Sequence, residues 1–165
     1  MKTSITKLFP EFPFAHRQPA HDGHCALLHG HNWSLELTFV CAELEAGTGF
    51  VVDFGKLKKL RKWLEDHFDH TLVLNASDPF LGYLQEQLTE VRFDPTSPSS
   101  IELAKIISVP DCSCEGLARW LLDTVNAVFF HKLGVHADQD CVRRSVRISK
   151  VTVYEDSKNS ATAEY

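Results

Sequence analysis

The sequence predicts an α+β domain. Two strand-like segments near the start, two amphipathic helical segments, and a closing strand-like segment carry that expectation. Helices inserted among antiparallel strands indicate this class. At 165 residues the chain fits one domain spanning 1–165. With 44% hydrophobic and 24% charged side chains it can bury a core, so a disordered chain is excluded.

The elements follow in order. In Phe12-Pro13-Phe14-Ala15-His16 the aromatic residues and the histidine share one parity, as on one face of a strand. From His29 to Phe39 the alternation is stricter: His29, His31, Trp33, Leu35, Leu37 and Phe39 take one face and Asn32, Ser34, Glu36 and Thr38 the other. Asp53 is the cap expected for a first helix, in which Phe54, Leu57, Leu60 or Arg61, Leu64 and Phe68 recur at three- and four-residue spacing. Residues of about 76–110 carry a helical stretch over Pro79–Leu88 and a turn-rich run over Asp94–Ser100. The second helix begins near Ser113, buries Leu117, Leu121, Val125 and Val128, and stops before Gly134. The last strand carries Val146 and Ile148, then Val151, Val153 and Glu155, and its change of parity at Ser149-Lys150 predicts a bulge.

Charge and composition exclude several functions. The net charge of −5 argues against a nucleic-acid partner, which needs a clustered basic face. No apolar run reaches the ~20 residues of a membrane span. The first residues have no apolar signal core behind them. Five cysteines, an odd number, suggest reduced thiols and a cytoplasmic location.

Nine histidines are many for this length, and five crowd between His16 and His31. His21 and His24 sit in a Pro-Asp-Gly loop, and His67 reads as a helix-surface residue; His131 and His136 are background. His29 and His31 project from the apolar face of their strand, where an unpartnered polar group is costly, and Gly30 between them permits close backbone approach. His16 follows the same kind of face on a second strand. Three imidazoles with an open fourth position are the pattern of catalytic zinc. Cys25 lies four residues before His29. Beside a bound cation its thiol would be acidified and could act as base or nucleophile, or it could be a fourth ligand that makes the site structural. Spacing leaves both open. Cys112 and Cys114 form a lone C-x-C, weak as a metal motif, and Cys41 and Cys141 read as packing residues.

Taken together, Phe12-x-x-Ala15-His16 and Cys25-x-x-x-His29-Gly30-His31-Asn32-Trp33 resemble the signature of the 6-pyruvoyltetrahydropterin synthase family. Further pieces match in order: Gly49–Lys58, Asp69-His70-Thr71-Leu72-Val73-Leu74-Asn75, Cys114–Trp120 and Val151-Thr152-Val153-Tyr154-Glu155. The short gap between Cys25 and His29 is similar to that of the bacterial 6-carboxytetrahydropterin synthases. Two departures stand out: Ser113-Cys114 replaces the family's Pro-Thr, and the 76–110 segment is additional.

The resemblance implies the tunnelling fold, an antiparallel sheet with two main helices on one face that assembles into a barrel. It further implies a homo-oligomer, a hexamer of two stacked trimers with sites shared between subunits. Zn2+ would be held by His16, His29 and His31. The substrate would be a small molecule, 7,8-dihydroneopterin triphosphate. Cys25 would be the proton-transfer base, Asp69 and His70 a relay, and Glu155 and Glu115 contacts to the pterin. Asp69 and His70, adjacent in sequence, need not touch within one subunit. Arg17 and the lysines are available for the triphosphate. The carboxy branch, on the route to queuosine, releases acetaldehyde and triphosphate. The pyruvoyl branch eliminates triphosphate with the same ligands, and a non-catalytic zinc or pterin-binding module is the rival from another class.

Overall fold

The computed structural model describes residues 3–89, 103–128 and 139–165. His131, His136, the turn-rich run over 94–100 and the stop before Gly134 fall outside them. Among these residues the strands and α-helices are, in chain order, β1 (Ser4–His16), β2 (His29–Val40), α1 (Lys58–Phe68), β3 (Thr71–Asn75), α2 (Leu81–Thr89), β4 (Lys105–Val109), α3 (Cys114–Ala127), α4 (Gln139–Arg143), β5 (Arg147–Tyr154) and β6 (Ser160–Glu164). The six strands form one sheet in the order β4-β3-β1-β2-β5-β6.

The α+β class holds, with a mixed sheet in place of a wholly antiparallel one. The pairs β1–β2, β2–β5 and β5–β6 are antiparallel, whereas β3 lies parallel to β1 and β4 parallel to β3. A parallel neighbour requires a long crossover, and the 76–110 segment supplies one, carrying the chain from β3 through α2 to β4. Part of that segment is therefore a sheet strand.

Two bulges aim the side chains. Phe9 faces Leu35 and Phe12 faces Trp33, so Pro10 and Glu11 together oppose Ser34. Glu11 takes φ 66° there. The extra residue brings Phe9 and Phe12, of opposite parity, onto one buried face. His16 inherits that face four residues later. In β5, Lys150 pairs with Thr38 and Ile148 with Phe39, leaving Ser149 as the expected bulge.

The helices α1 and α3 cover this face. Leu60, Leu64 and Phe68 of α1 and Leu117, Leu121 and Val125 of α3 join Phe12, Phe14, Trp33, Leu35, Val151 and Val153 in one buried cluster. Each such large side chain contributes about 1.5–3 kcal/mol on burial. Leu60 rather than Arg61 takes the inner position. Phe54 is 53% exposed instead of buried, because it lies in a 3-10 turn over Phe54–Leu57 ahead of α1, and Lys7 sits over its ring. Asp53 caps that turn, accepting from the Gly55 N–H at 2.7 Å. At the start of α3, Ser113 accepts from the Gly116 N–H at 2.9 Å. No helix among the described residues is long and apolar enough to cross a membrane.

Candidate metal centre and active site

The triad is built by strand register. His16 pairs with His29 across β1–β2, and His31 stands two residues along β2 on the same face. Their ring centroids are 4.6 Å (His16–His29), 5.5 Å (His16–His31) and 5.1 Å (His29–His31) apart. One nitrogen from each ring lies within 4.8 Å of the others. Below them Trp33 stacks on Phe14 at 4.5 Å and turns its edge to His16 and His31. Its indole N–H is satisfied by the Phe14 carbonyl at 3.2 Å. The floor is rigid and apolar.

Backbone carbonyls set the tautomers. The Nδ1 of His16 lies 2.9 Å from the Cys112 carbonyl, and that of His29 lies 2.7 Å from the Leu27 carbonyl. Carbonyl oxygens only accept, so each Nδ1 carries the proton and each Nε2 presents a lone pair. The Nε2 atoms of His16 and His31 are buried and lack a hydrogen-bond partner. Burial lowers the His16 pKa to about 4; the bond to Cys112 opposes the shift, and the neighbouring His29 and His31 reinforce it. A neutral imidazole with a buried free lone pair, as at His16, is what a divalent cation requires. The residues fit a metal ion.

Beside the triad opens a cavity of about 450 Å³, lined by His16, Cys25, Cys114, Glu115, Glu155 and Lys158 among others. Cys25 sits half-buried in a short 3-10 turn, His24–Ala26. Its sulfur is not part of the three-histidine ligand group, which disfavours it as a fourth ligand. Glu155 follows directly after β5, and its Oε1 lies 3.6 Å from the Nε2 of His16 and 3.5 Å from that of His31. Glu115, in the first turn of α3, is exposed on the rim. Burial pushes the Cys114 thiol up to about 11, and it donates to the Val153 carbonyl at 3.2 Å. Cys112 is buried and donates to the Arg17 carbonyl at 3.0 Å. Both therefore stay protonated. The Arg17 guanidinium lies 3.1 Å from the buried Asp78 and over the Phe80 ring.

His70 lines a different hollow, of about 660 Å³, together with Gly30, His31 and Leu28. Within one chain it does not share a cavity with Cys25. Asp69 and His70 touch within the one chain: His70 Nδ1 lies 2.9 Å from Asp69 Oδ1. The contact depends on an unusual backbone, because His70 takes φ 52° in the position after the helix end that glycine ordinarily fills. Its N–H donates to the Pro13 carbonyl at 2.8 Å. Lys105, the first residue of β4, donates to the carbonyls of Asp66 (3.0 Å) and Asp69 (2.9 Å). Sequence reasoning missed Lys105, because nothing near position 105 marks a lysine that reaches back across 36 residues. His21 accepts the Gly23 N–H in its loop, and His67 packs on Trp63 along α1, both as expected.

A mixed sheet of this order with its two covering helices places the chain in the tunnelling-fold class. Solved structures share the architecture: a protein of Wolinella succinogenes (TM-score 0.73, 22% identity, 99% of this chain and 98% of that one) and the 6-pyruvoyltetrahydropterin synthase of Plasmodium vivax, a catalytic-residue mutant (TM-score 0.62, 20% identity, 99% and 98%). Residues 4–165 match the 6-pyruvoyl tetrahydropterin synthase family, and the chain belongs to it. It is an enzyme of lyase type. Its relatives include the 6-carboxy-5,6,7,8-tetrahydropterin synthases of Rickettsia typhi (36% identical over 93 residues, 53% of this chain and 67% of the relative) and Haemophilus influenzae (30% over 110 residues, 61% and 78%).

Proposed function

We propose that this protein is a zinc-dependent 6-carboxytetrahydropterin synthase. It converts 7,8-dihydroneopterin triphosphate to 6-carboxy-5,6,7,8-tetrahydropterin, consuming one water and releasing acetaldehyde and triphosphate, in the cytoplasmic route to queuosine. The observation that carries the reading is the three-histidine cluster, whose His16 lines a cavity that also holds Cys25 and Glu155. The names of the Rickettsia and Haemophilus relatives favour the carboxy branch over the pyruvoyl one.

His16, His29 and His31 hold the Zn2+. Bound there, the ion acts as a Lewis acid toward the substrate's side-chain hydroxyls and makes the adjoining C–H more acidic. Cys25 Sγ accepts the carbon-bound proton. Asp69 accepts from His70 Nδ1–H and so fixes the tautomer whose Nε2 can take or return a proton. Glu155, with Glu115 on the rim, accepts hydrogen bonds from the pterin amino group and ring N–H. Lys158 supplies a cation to the same cavity.

Because His70 and Cys25 line different hollows of one chain, a complete site takes His70 from a neighbouring copy. Among the described residues β4 and β6 are the outer strands of the sheet, and edge strands of this kind suit edge-to-edge joining into a barrel, as in a hexamer of two trimers. Cys25→Ala tests the catalytic assignment. The variant is expected to keep its metal and fold while turnover of dihydroneopterin triphosphate falls by about 10²-fold or more. Loss of metal together with unfolding would instead make the thiol a structural ligand and the domain a binding module.

A further inference from the structure

The three histidines leave one position of a tetrahedral site unassigned, and Glu155 stands beside it. Zinc–nitrogen bonds of about 2.0–2.1 Å in tetrahedral geometry separate neighbouring ligand atoms by about 3.3–3.4 Å. Glu155 Oε1 lies 3.5 Å from His31 Nε2 and 3.6 Å from His16 Nε2, close to that separation from two ligands at once. These are the same two Nε2 atoms that are buried without a hydrogen-bond partner. The carboxylate therefore occupies a corner of the site instead of pairing with the rings by hydrogen bonds.

The backbone holds it in that place. Glu155 follows β5 directly, its N–H donates to the Asn159 carbonyl at 3.0 Å, and Asp156 closes the turn by accepting from the N–H groups of Lys158 and Asn159 at 2.7 Å each. The hairpin between β5 and β6 thus starts with its first side chain on the metal centre. A carboxylate there also balances charge: three neutral imidazoles leave a divalent ion uncompensated in a partly buried cradle, and one anionic oxygen halves that charge.

We infer that Glu155 is the fourth ligand of the metal in the substrate-free enzyme. The inference deepens the proposed function, since substrate hydroxyls would then have to displace this carboxylate and free it for the pterin ring. Metal binding can be read without any turnover, so the two stand or fall separately.

The experiment compares wild type with Glu155→Ala, Glu155→Gln and Glu115→Gln. Zn2+ affinity is read by competition with a chromophoric chelator, and coordination by the visible absorption of the Co2+-substituted proteins. Apo-protein melting checks the fold of each variant. The expected result is that Glu155→Ala weakens Zn2+ binding by about tenfold or more and shifts the Co2+ bands, while Glu115→Gln leaves both unchanged. Glu155→Gln, which keeps an oxygen but loses the charge, is expected to fall between. Equal affinity and an unchanged Co2+ spectrum in Glu155→Ala would overturn the inference. So would an equal weakening in Glu115→Gln, which would reduce the effect to the charge of the cavity. Failure of wild type to bind Zn2+ at all would overturn the three-histidine site along with it.

Discussion

Lys105 braces, from 36 residues along the chain, the turn that carries the proposed relay. Its ammonium donates to two carbonyls at the end of α1, one of them that of Asp69, and Thr71 Oγ1 donates to the same Asp69 oxygen at 3.2 Å. The next residue, His70, is held at φ 52°, a conformation costing about 1–3 kcal/mol for a non-glycine residue unless its surroundings enforce it. Removing the lysine should let this turn relax and misdirect the imidazole. Lys105→Met is expected to lower kcat about tenfold, with KM and metal content unchanged, and to cause no further loss in a His70→Ala background. An equal loss in both backgrounds would assign Lys105 to general stability instead. At this level the triad was legible because residue parity alone puts His29, His31 and Trp33 on one face. Lys105 and the Cys112 carbonyl that partners His16 were not, since each depends on chain folded back from a distance.

Elements were legible in proportion to the apolar signal they carry. The β2 alternation from His29 to Phe39 sufficed, and the bulge at Ser149 showed as a parity change. The matching bulge at Pro10–Glu11 was hidden, since only the partner strand reveals that Phe9 and Phe12 share a face. β3 and β4 are five residues each and half-buried or buried along most of their length, which gives no clean period. β6 carries only small and polar side chains, Ser160 to Glu164, and alternates between exposed and half-exposed. The start of α3 supplies a test with a defined pH dependence. Burial alone would raise Asp111, but the Ser113 N–H, the Ser113 and Gln18 side chains and the Arg119 charge together hold its carboxyl below the ordinary value. A carboxyl lowered by folding stabilises the protein above its unfolded pKa, and that contribution is lost as pH falls through the folded value. Asp111→Ala should therefore cost about 1 kcal/mol at pH 7, and the gap from wild type should close in acid below the usual carboxylate range. A gap that persists unchanged at low pH in urea melts would count against the carboxylate as its source. The same carboxyl explains Gly116, where an added Cβ would meet Asp111 Cγ at 2.3 Å.

The molecule as a whole gives the net charge of −5 a local meaning. Among the described residues, the cavity that holds Cys25 carries one lysine, Lys158, against two glutamates, so the triphosphate of the proposed substrate would need further cations from outside this cavity. That agrees with the placement of His70 in a separate hollow and points to a site completed by a second chain. Mixing Cys25→Ala and His70→Ala chains should then restore part of the activity each lacks alone, because some mixed sites receive both intact residues. No recovery after subunit exchange, checked by native mass spectrometry, would place the whole relay within one chain. The most direct measurement is of the products themselves. Zinc-loaded protein incubated with 7,8-dihydroneopterin triphosphate should release acetaldehyde and triphosphate and leave 6-carboxy-5,6,7,8-tetrahydropterin by mass spectrometry. A pyruvoyl-tetrahydropterin product without acetaldehyde, or substrate left intact by the metal-loaded protein, would contradict it.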